Sequence, residues 1–133
     1  MSLVQLIDLP DLSDHRGGLV ALESSQSIPF ELKRIYYIFD AKPDVPRGFH
    51  AHKALYQAAF CIKGKCRMLM DNGVEKQEVW INQANKGLVI PPMVWHEMHD
   101  FSEDCVLLVL ASEYYDESDY IRTYDDFLNK VGY

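Results

Sequence analysis

Short apolar runs, separated by glycine, proline and asparagine, recur along most of the chain. Many of them alternate apolar and polar residues, which is the period of a β-strand with one buried face. The predicted strands cover residues 4–9, 19–22, 34–39, 50–52, 58–62, 66–70, 75–81, 88–90 and 105–111. Asp71-Asn72-Gly73 lies between two of them and is a strong β-hairpin signal. Many short strands at regular spacing predict an all-β protein, a small double-sheet β-barrel of jelly-roll type.

Only the end of the chain has a helical pattern. Thr123 can cap a helix over residues 124–130, with Asp125 and Asp126 in its first turn and Gly132 just beyond its end. The sequence therefore predicts a short C-terminal helix after the barrel.

The run 34–39 has two unlike faces. Its alternation places Arg34 and Tyr36 on one face and Ile35, Tyr37 and Phe39 on the other. A face with an arginine and a tyrosine hydroxyl can be outer surface or barrel interior, and the pattern alone favours the surface.

Length and charge limit the possible functions. A chain of 133 residues is predicted to be one domain, spanning 1–133, and its net charge of −7 argues against a general nucleic-acid binder. No apolar run approaches the length of a membrane span, and the first residues do not resemble a secretion signal. Three cysteines in apolar runs are typical of buried thiols in a reducing compartment. We therefore expect a cytoplasmic protein.

Candidate chemistry is concentrated in Arg47-Gly48-Phe49-His50-Ala51-His52. In an extended segment, His50 and His52 point to the same face. Two imidazoles beside Arg47 can form a proton-transfer site, an anion site or a metal site.

The spacing of His50 and His52 from Gln57 and Gly64 resembles the first motif of the cupin superfamily. The segment 87–96, which ends in His96, resembles the second motif more loosely. Metal cupins usually have a glutamate where Gln57 stands. An amide is a poorer ligand for a divalent metal than a carboxylate, so we expect no metal and an acid/base role for the histidines.

The resemblance extends to a narrower family. Four segments lie in the same order as in the dTDP-sugar 3,4-ketoisomerases, the FdtA-like or WxcM-like family, namely 34–40, 47–53, 95–101 and 111–122. The resemblance implies conversion of dTDP-4-keto-6-deoxyglucose to its 3-keto isomer by a homodimer without a cofactor. The product would then supply an aminotransferase that makes 3-amino sugars for surface glycans such as a lipopolysaccharide O-antigen or an S-layer.

The resemblance also implies roles for single residues. His50 is the expected base at C3, and His52 is a second acid/base group or orients the sugar. Tyr36 is a donor to the C3 or C4 oxygen, which requires Arg34 and Tyr36 to face the barrel interior rather than solvent. Arg34 and Arg47 are substrate-binding candidates, since an arginine fork suits phosphate oxygens.

Two further positions bear on the product. Arg16 and His96 resemble the residues of the branch that makes the galacto product, where the gluco branch is expected to have a tyrosine and an arginine. Histidine can carry a proton near neutral pH and arginine cannot. We therefore expect dTDP-3-keto-6-deoxygalactose as the product, with Arg16 and His96 contacting the sugar.

Three alternatives remain open at this point. A dTDP-sugar 3,5-epimerase also uses a histidine base and a tyrosine in a cupin barrel. A metal-dependent cupin, such as a small dioxygenase, would contain bound metal. A non-catalytic sugar-binding module would bind the nucleotide without turnover.

Overall fold

The computed structural model describes residues 3–132. This part of the chain forms ten β-strands, one 3-10 helix and one α-helix. The strands are β1 (Leu6–Asp8), β2 (Arg34–Ile38), β3 (Arg47–His52), β4 (Gln57–Lys63), β5 (Cys66–Asp71), β6 (Lys76–Ile81), β7 (Lys86–Ile90), β8 (Trp95–His99), β9 (Val106–Ala111) and β10 (Tyr120–Ile121). The 3-10 helix is Glu117–Asp119, and helix α1 is Tyr124–Val131.

The strands form two five-stranded sheets with antiparallel pairing. One sheet has the order β1-β7-β4-β9-β2 and the other β10-β3-β8-β5-β6. Residues of both sheets form one shared core cluster, so the two sheets face each other as in a jelly roll. The all-β fold prediction is confirmed.

Strand β4 is buried on both faces, which explains its uninterrupted apolar sequence. Ala59 and Cys61 contribute to the core between the two sheets, which also contains Met68 and Leu107. On the other face, Phe60 belongs to a separate cluster that the residues before β2 cover. Both faces of β4 therefore need apolar side chains, so its sequence shows no alternation of apolar and polar residues.

Three thiols lie in the inter-sheet core. The sulfur of Cys61 is 3.7 Å from that of Cys66 and 3.7 Å from that of Cys105. All three cysteines are free and buried, as the sequence predicts. Burial raises the pKa of the Cys105 thiol to about 12, so it remains protonated near neutral pH.

The predicted hairpin and C-terminal helix are both confirmed. Asn72 Oδ1 accepts the backbone N–H groups of Val74 and Glu75 in the turn between β5 and β6. Thr123 Oγ1 accepts the N–H of Asp126 at the start of α1, and Gly132 ends the helix with a φ of 78°. Phe127 anchors the helix against Trp95 on the outer side of the second sheet.

Two expectations from the pattern are wrong. Residues 19–22 form no strand, because no strand in the described part of the chain supplies a ladder of hydrogen bonds to them. Within this segment, the carbonyl of Leu19 accepts a backbone hydrogen bond from Leu12 N–H. Arg34 and Tyr36 face the barrel interior, as the family resemblance implies, and Tyr36 packs against the inter-sheet core. Strands β8 and β10 were not expected from the pattern. In residues 3–132, no helix is long and apolar enough to cross a membrane.

Candidate active site

Three imidazoles meet inside the barrel, where strands β3 and β8 pair. His50 lies directly opposite His96 in the register of these strands, and their ring centres are 4.6 Å apart. His52 follows on the same face of β3, with its ring centre 5.0 Å from that of His50 and 6.0 Å from that of His96. The alternation of a strand thus places both residues of the His-x-His motif in one cluster with His96.

Each of the three rings has its Nδ1 beside a hydrogen-bond acceptor. His50 Nδ1 is 3.0 Å from the Gly48 carbonyl, and His96 Nδ1 is 3.4 Å from the Val94 carbonyl. His52 Nδ1 is 3.2 Å from a carboxylate oxygen of Asp119. Carbonyl and carboxylate oxygens accept hydrogen bonds, so these contacts place the proton of each neutral ring on Nδ1. Nε2 then carries the lone pair, which is the state a base requires.

Burial keeps the imidazoles uncharged. It lowers the pKa of His96 to about 3, with further lowering from His50 and His52. The pKa values of His50 and His52 are also lowered, chiefly by burial, although the Gly48 carbonyl opposes this at His50 and Asp119 opposes it at His52. Near neutral pH the cluster therefore offers neutral imidazoles that can accept a proton.

Tyr36 extends from β2 across β9 towards Gln57 on β4. Its hydroxyl donates to Gln57 Oε1 over 2.5 Å. Burial raises the pKa of Tyr36 well above its usual value, so the phenol keeps its proton. Gln57, which stands at the usual cupin glutamate position, thus orients a tyrosine through its amide oxygen.

Two adjoining cavities, of about 190 and 430 Å³, open at this cluster and share Arg34, Tyr115 and Tyr120. The smaller one contains Tyr36, Arg47 and His50, and the larger one contains His52. Three buried polar atoms there have no hydrogen-bond partner among the described residues: Arg34 Nε, Gln57 Nε2 and His96 Nε2. Buried polar atoms are normally paired, so these atoms indicate space for a polar ligand.

Six of the seven predicted site residues are close together, and one is not. Arg34, Tyr36, Arg47, His50, His52 and His96 line the cavities or belong to the imidazole cluster. Arg16 lies instead on an exposed turn, paired with Asp14 beside Leu12 and Leu19. Within one chain it does not contribute to this cavity.

The imidazole cluster is also the place where a metal would bind. His50, His52 and His96 each offer one nitrogen, and these three atoms lie within 4.8 Å of one another. Three imidazoles can hold zinc. The fourth ligand position of the cupin motif is occupied by the neutral Gln57, whose amide oxygen is already bonded to Tyr36, so the donor set has no carboxylate at that position.

Sequence reasoning missed two contributors from the segment after β9. The Tyr120 ring packs 4.4 Å from His52 and 5.0 Å from His50, centre to centre, and Asp119 bonds to His52. Strand β10 brings them there by pairing Tyr120 with His52. The contact between His52 and Asp119 joins residues 67 positions apart, so no local sequence motif indicates it.

The barrel and its imidazole cluster define a cupin-type protein equipped for acid/base chemistry, and comparison with known proteins narrows the class. The family model FdtA, described as WxcM-like, C-terminal, matches residues 2–132. The chain belongs to this family. The predicted family membership is thereby confirmed.

Characterised relatives cover nearly the whole chain. The chain is 54% identical over 128 residues to the TDP-4-oxo-6-deoxy-α-D-glucose-3,4-oxoisomerase of Aneurinibacillus thermoaerophilus, covering 96% of this chain and 92% of that protein. It also resembles WlaRB, the TDP-quinovose 3,4-ketoisomerase of Campylobacter jejuni, with 43% identity and a TM-score of 0.91, covering 97% of this chain and 99% of the other.

The sugar 3,4-ketoisomerase QdtA of Thermoanaerobacterium thermosaccharolyticum is similar throughout. Its complex with TDP matches with 45% identity and a TM-score of 0.94, covering 97% of this chain and 94% of QdtA. A QdtA mutant with one histidine changed to asparagine was solved with TDP-4-keto-6-deoxyglucose. A double mutant, tyrosine to arginine and arginine to histidine, was solved with TDP.

Proposed function

We propose that this chain is a TDP-sugar 3,4-ketoisomerase that converts TDP-4-keto-6-deoxyglucose to a TDP-3-keto-6-deoxyhexose. The observation that carries the proposal is the cluster of three neutral imidazoles with Nδ1 anchored, in a barrel whose family members include named 3,4-ketoisomerases. Such a cluster can take a proton from one carbon and return one to its neighbour without a redox cofactor.

The reaction begins at C3, whose proton is acidified by the adjacent C4 ketone. His50 Nε2 takes this proton, the C3–H electron pair forms the C3=C4 bond, and negative charge develops on O4. With substrate bound, the Tyr36 hydroxyl turns its single proton from Gln57 Oε1 to that oxygen. A phenol that keeps its proton near neutral pH suits this role.

The second half reverses the roles of the two carbons. The hydroxyl proton on O3 passes to His52 Nε2, the C3=O bond forms, and the electron pair of the C3=C4 bond takes up a proton at C4. His50, which holds the proton from C3, supplies it directly or through His96, whose ring centre lies 4.6 Å away. O4 takes up the second proton, from His52. Two protons leave the sugar and two return, so the product is an isomer.

Arginines at the cavity supply the anion site. Arg34 lies above the rings of Tyr36 and Tyr115, at 5.3 and 5.7 Å from their centres, and its buried Nε has no partner among the described residues. Arg47 lines the same cavity and is exposed at its mouth. We assign the diphosphate to these two arginines, since guanidinium groups bind phosphate oxygens in a planar fork.

For the product we favour the galacto configuration at C4. The support is the pair of residue types at Arg16 and His96, of which His96 lies in the imidazole cluster. Coupling the reaction to an aminotransferase traps the unstable ketone for NMR. An axial C4 hydroxyl is expected, whereas an equatorial one would refute this part of the proposal.

A homodimer would explain two apolar segments that lack a strand partner on one side. Strand β2 lies at the edge of its sheet. Its outward residues Ile35 and Tyr37, and Phe39 just beyond its end, are 54, 61 and 60% exposed. The apolar residues 19–22 have no strand partner within residues 3–132. We propose that the partner's residues 19–22 cover this edge, which would also carry the partner's Arg16 towards the Tyr36 side of the barrel. Light scattering that gave a monomer mass at micromolar concentration would contradict it.

The cellular setting follows from the substrate. We place the protein in the cytoplasm, where a nucleotide sugar and free thiols are both expected. The proposed product is a keto sugar ready for amination at C3. The epimerase alternative predicts hydrogen exchange at C5, and the metal-dependent alternative predicts loss of turnover after treatment with a chelator.

A further inference from the structure

The side chain of Asp119 contacts the imidazole of His52. Its Oδ2 lies 3.2 Å from His52 Nδ1, while Oδ1 accepts the N–H of Ala54 over 2.9 Å. His50 and His96 are instead anchored by carbonyl groups of the backbone. His52 is therefore the one member of the cluster whose orientation depends on a residue that can be substituted.

The position of Asp119 is itself well fixed. Its carbonyl accepts the N–H of Lys53, and its own N–H donates to the carbonyl of Asp116 within the 3-10 helix. The side chain is 18% exposed, so the carboxylate contacts little solvent. Three of these four hydrogen bonds connect Asp119 with residues 52–54 at the end of β3, and the fourth holds Asp119 within the 3-10 helix.

The contact decides which nitrogen of His52 carries the proton. A carboxylate only accepts hydrogen bonds, so His52 must present Nδ1–H to Asp119. Nε2 is then the acceptor and faces the cluster. The opposite tautomer would place N–H where the proposed reaction needs a base, as when an oriented histidine loses its carboxylate partner in other acid/base sites.

We propose that Asp119 is a positioning residue for the reaction, which holds His52 in the Nδ1–H tautomer so that Nε2 can accept the sugar hydroxyl proton. This inference rests on the proposed ketoisomerase function. It gives a role to a residue in the acidic segment 116–119, which composition alone would describe as exposed loop.

The direct test is Asp119→Asn, with Asp116→Asn as the matched control. The asparagine oxygen can still accept from Ala54, so its NH₂ group faces Nδ1 and favours the Nε2–H tautomer. Asp116→Asn removes one carboxylate from the same helix without contacting His52, and asparagine can still cap the helix. The tautomer is read from ¹⁵N chemical shifts of the His52 ring, and kcat and KM are measured on the same samples.

In Asp119→Asn, His52 should change tautomer and kcat should fall by about 10²-fold or more, while KM changes little. Asp116→Asn should keep the tautomer and the rate. Unchanged tautomer and kcat in Asp119→Asn would overturn the proposal, and so would an equal loss in both variants, which indicates a structural role for the segment.

A double-mutant cycle guards against a general loss of structure. If Asp119 acts through His52, Asp119→Asn should cause almost no further loss of kcat in a His52→Asn background. Independent, multiplicative losses would refute the inference. An inactive wild-type protein would contradict the ketoisomerase function instead, and the NMR tautomer of wild-type His52 would still test the contact with Asp119.

Discussion

At the scale of single residues, His50 has the surroundings that a carbon base needs. The Gly48 carbonyl fixes its Nδ1, and burial lowers its pKa, so Nε2 is free of a proton near neutral pH. Its ring also contacts Tyr120 and His96, which restricts its orientation. The sequence predicted the two histidines of β3 on one face, but it could not predict which groups would anchor them.

Replacing His50 by asparagine should remove most turnover and keep the fold. Asparagine cannot accept a proton from C3, and general base catalysis contributes about 10²–10⁴-fold. Steady-state kinetics and calorimetry with TDP should show a lower kcat with unchanged TDP affinity. A variant with nearly wild-type kcat would mean that another group is the base.

Tyr36→Phe tests the donor proposed for the enediolate oxygen. Removing one such donor should lower kcat by about 10–10³-fold, because developing charge loses a preorganised hydrogen bond. Tyr37→Phe is the matched control, since Tyr37 is next in sequence and 61% exposed on the opposite face. The assignment of Tyr36 fails if both variants retain the same rate.

At the scale of the element, strand β3 needs an unusual backbone to deliver its histidines. A bulge lies between Gly48 and His50, Gly48 has a φ of 91°, and Phe49 has a φ of 60°. A Cβ on Gly48 would lie 3.0 Å from the His96 carbonyl oxygen and 3.3 Å from the Glu97 Cα. Bulges and strained backbone are frequent at functional sites. Here they adjust β3 against β8 directly beside the imidazole cluster.

Gly48→Ala should therefore impair both stability and catalysis. We expect a loss of about 1–3 kcal/mol in the free energy of unfolding from the positive φ and the close backbone contact. Gly132→Ala is the control, since its φ is 78° but a Cβ there meets nothing within 4 Å. Urea unfolding and kcat should show a larger loss of stability for Gly48→Ala, and a loss of activity in that variant alone. Equal effects in the two variants would argue against a special role for the bulge.

The strands also show which parts of the fold the sequence pattern can predict and which it cannot. Strands such as β4 and β9 were predicted because their own residues carry the signal. Strand β8 was missed because Trp95-His96-Glu97-Met98-His99 has neither an apolar run nor a strict alternation, and it comes shortly after Pro91-Pro92. The pattern wrongly favoured the surface for the Arg34 and Tyr36 face of β2, because both faces carry a tyrosine and only packing against β9 and β4 distinguishes them. The role of Asp119 could not be predicted, because Asp119 is far from His52 in the sequence and contacts it only in the folded protein.

At the scale of the whole molecule, a buried cluster of neutral histidines lowers stability in acid. The pKa of His96 is about 3 in the folded protein and near 6.5 when unperturbed. Below pH 6.5 the unfolded chain binds more protons than the folded one, so stability falls as the pH drops from about 6.5 towards 3. His50 and His52 shift in the same direction.

Urea unfolding between pH 7.5 and 4.5 should show this loss. Each histidine that stays neutral on acidification contributes up to about 1.4 kcal/mol per pH unit. In His96→Gln, the free energy of unfolding should depend less steeply on pH, because up to one fewer proton is taken up on unfolding. This change in slope is expected whatever the absolute stability of that variant. A slope identical to that of the wild type would mean that His96 is not held neutral by burial.

The central claim is that the protein moves a ketone from C4 to C3 of a TDP-sugar. The most direct measurement is a ¹H and ¹³C NMR time course of TDP-4-keto-6-deoxyglucose with the wild-type protein in D₂O. We predict loss of the C3 proton signal, a new carbonyl at C3 and a hydrogen or deuterium at C4, with the C5 proton retained. An unchanged sugar ring, or exchange at C5 without migration of the ketone, would contradict the account.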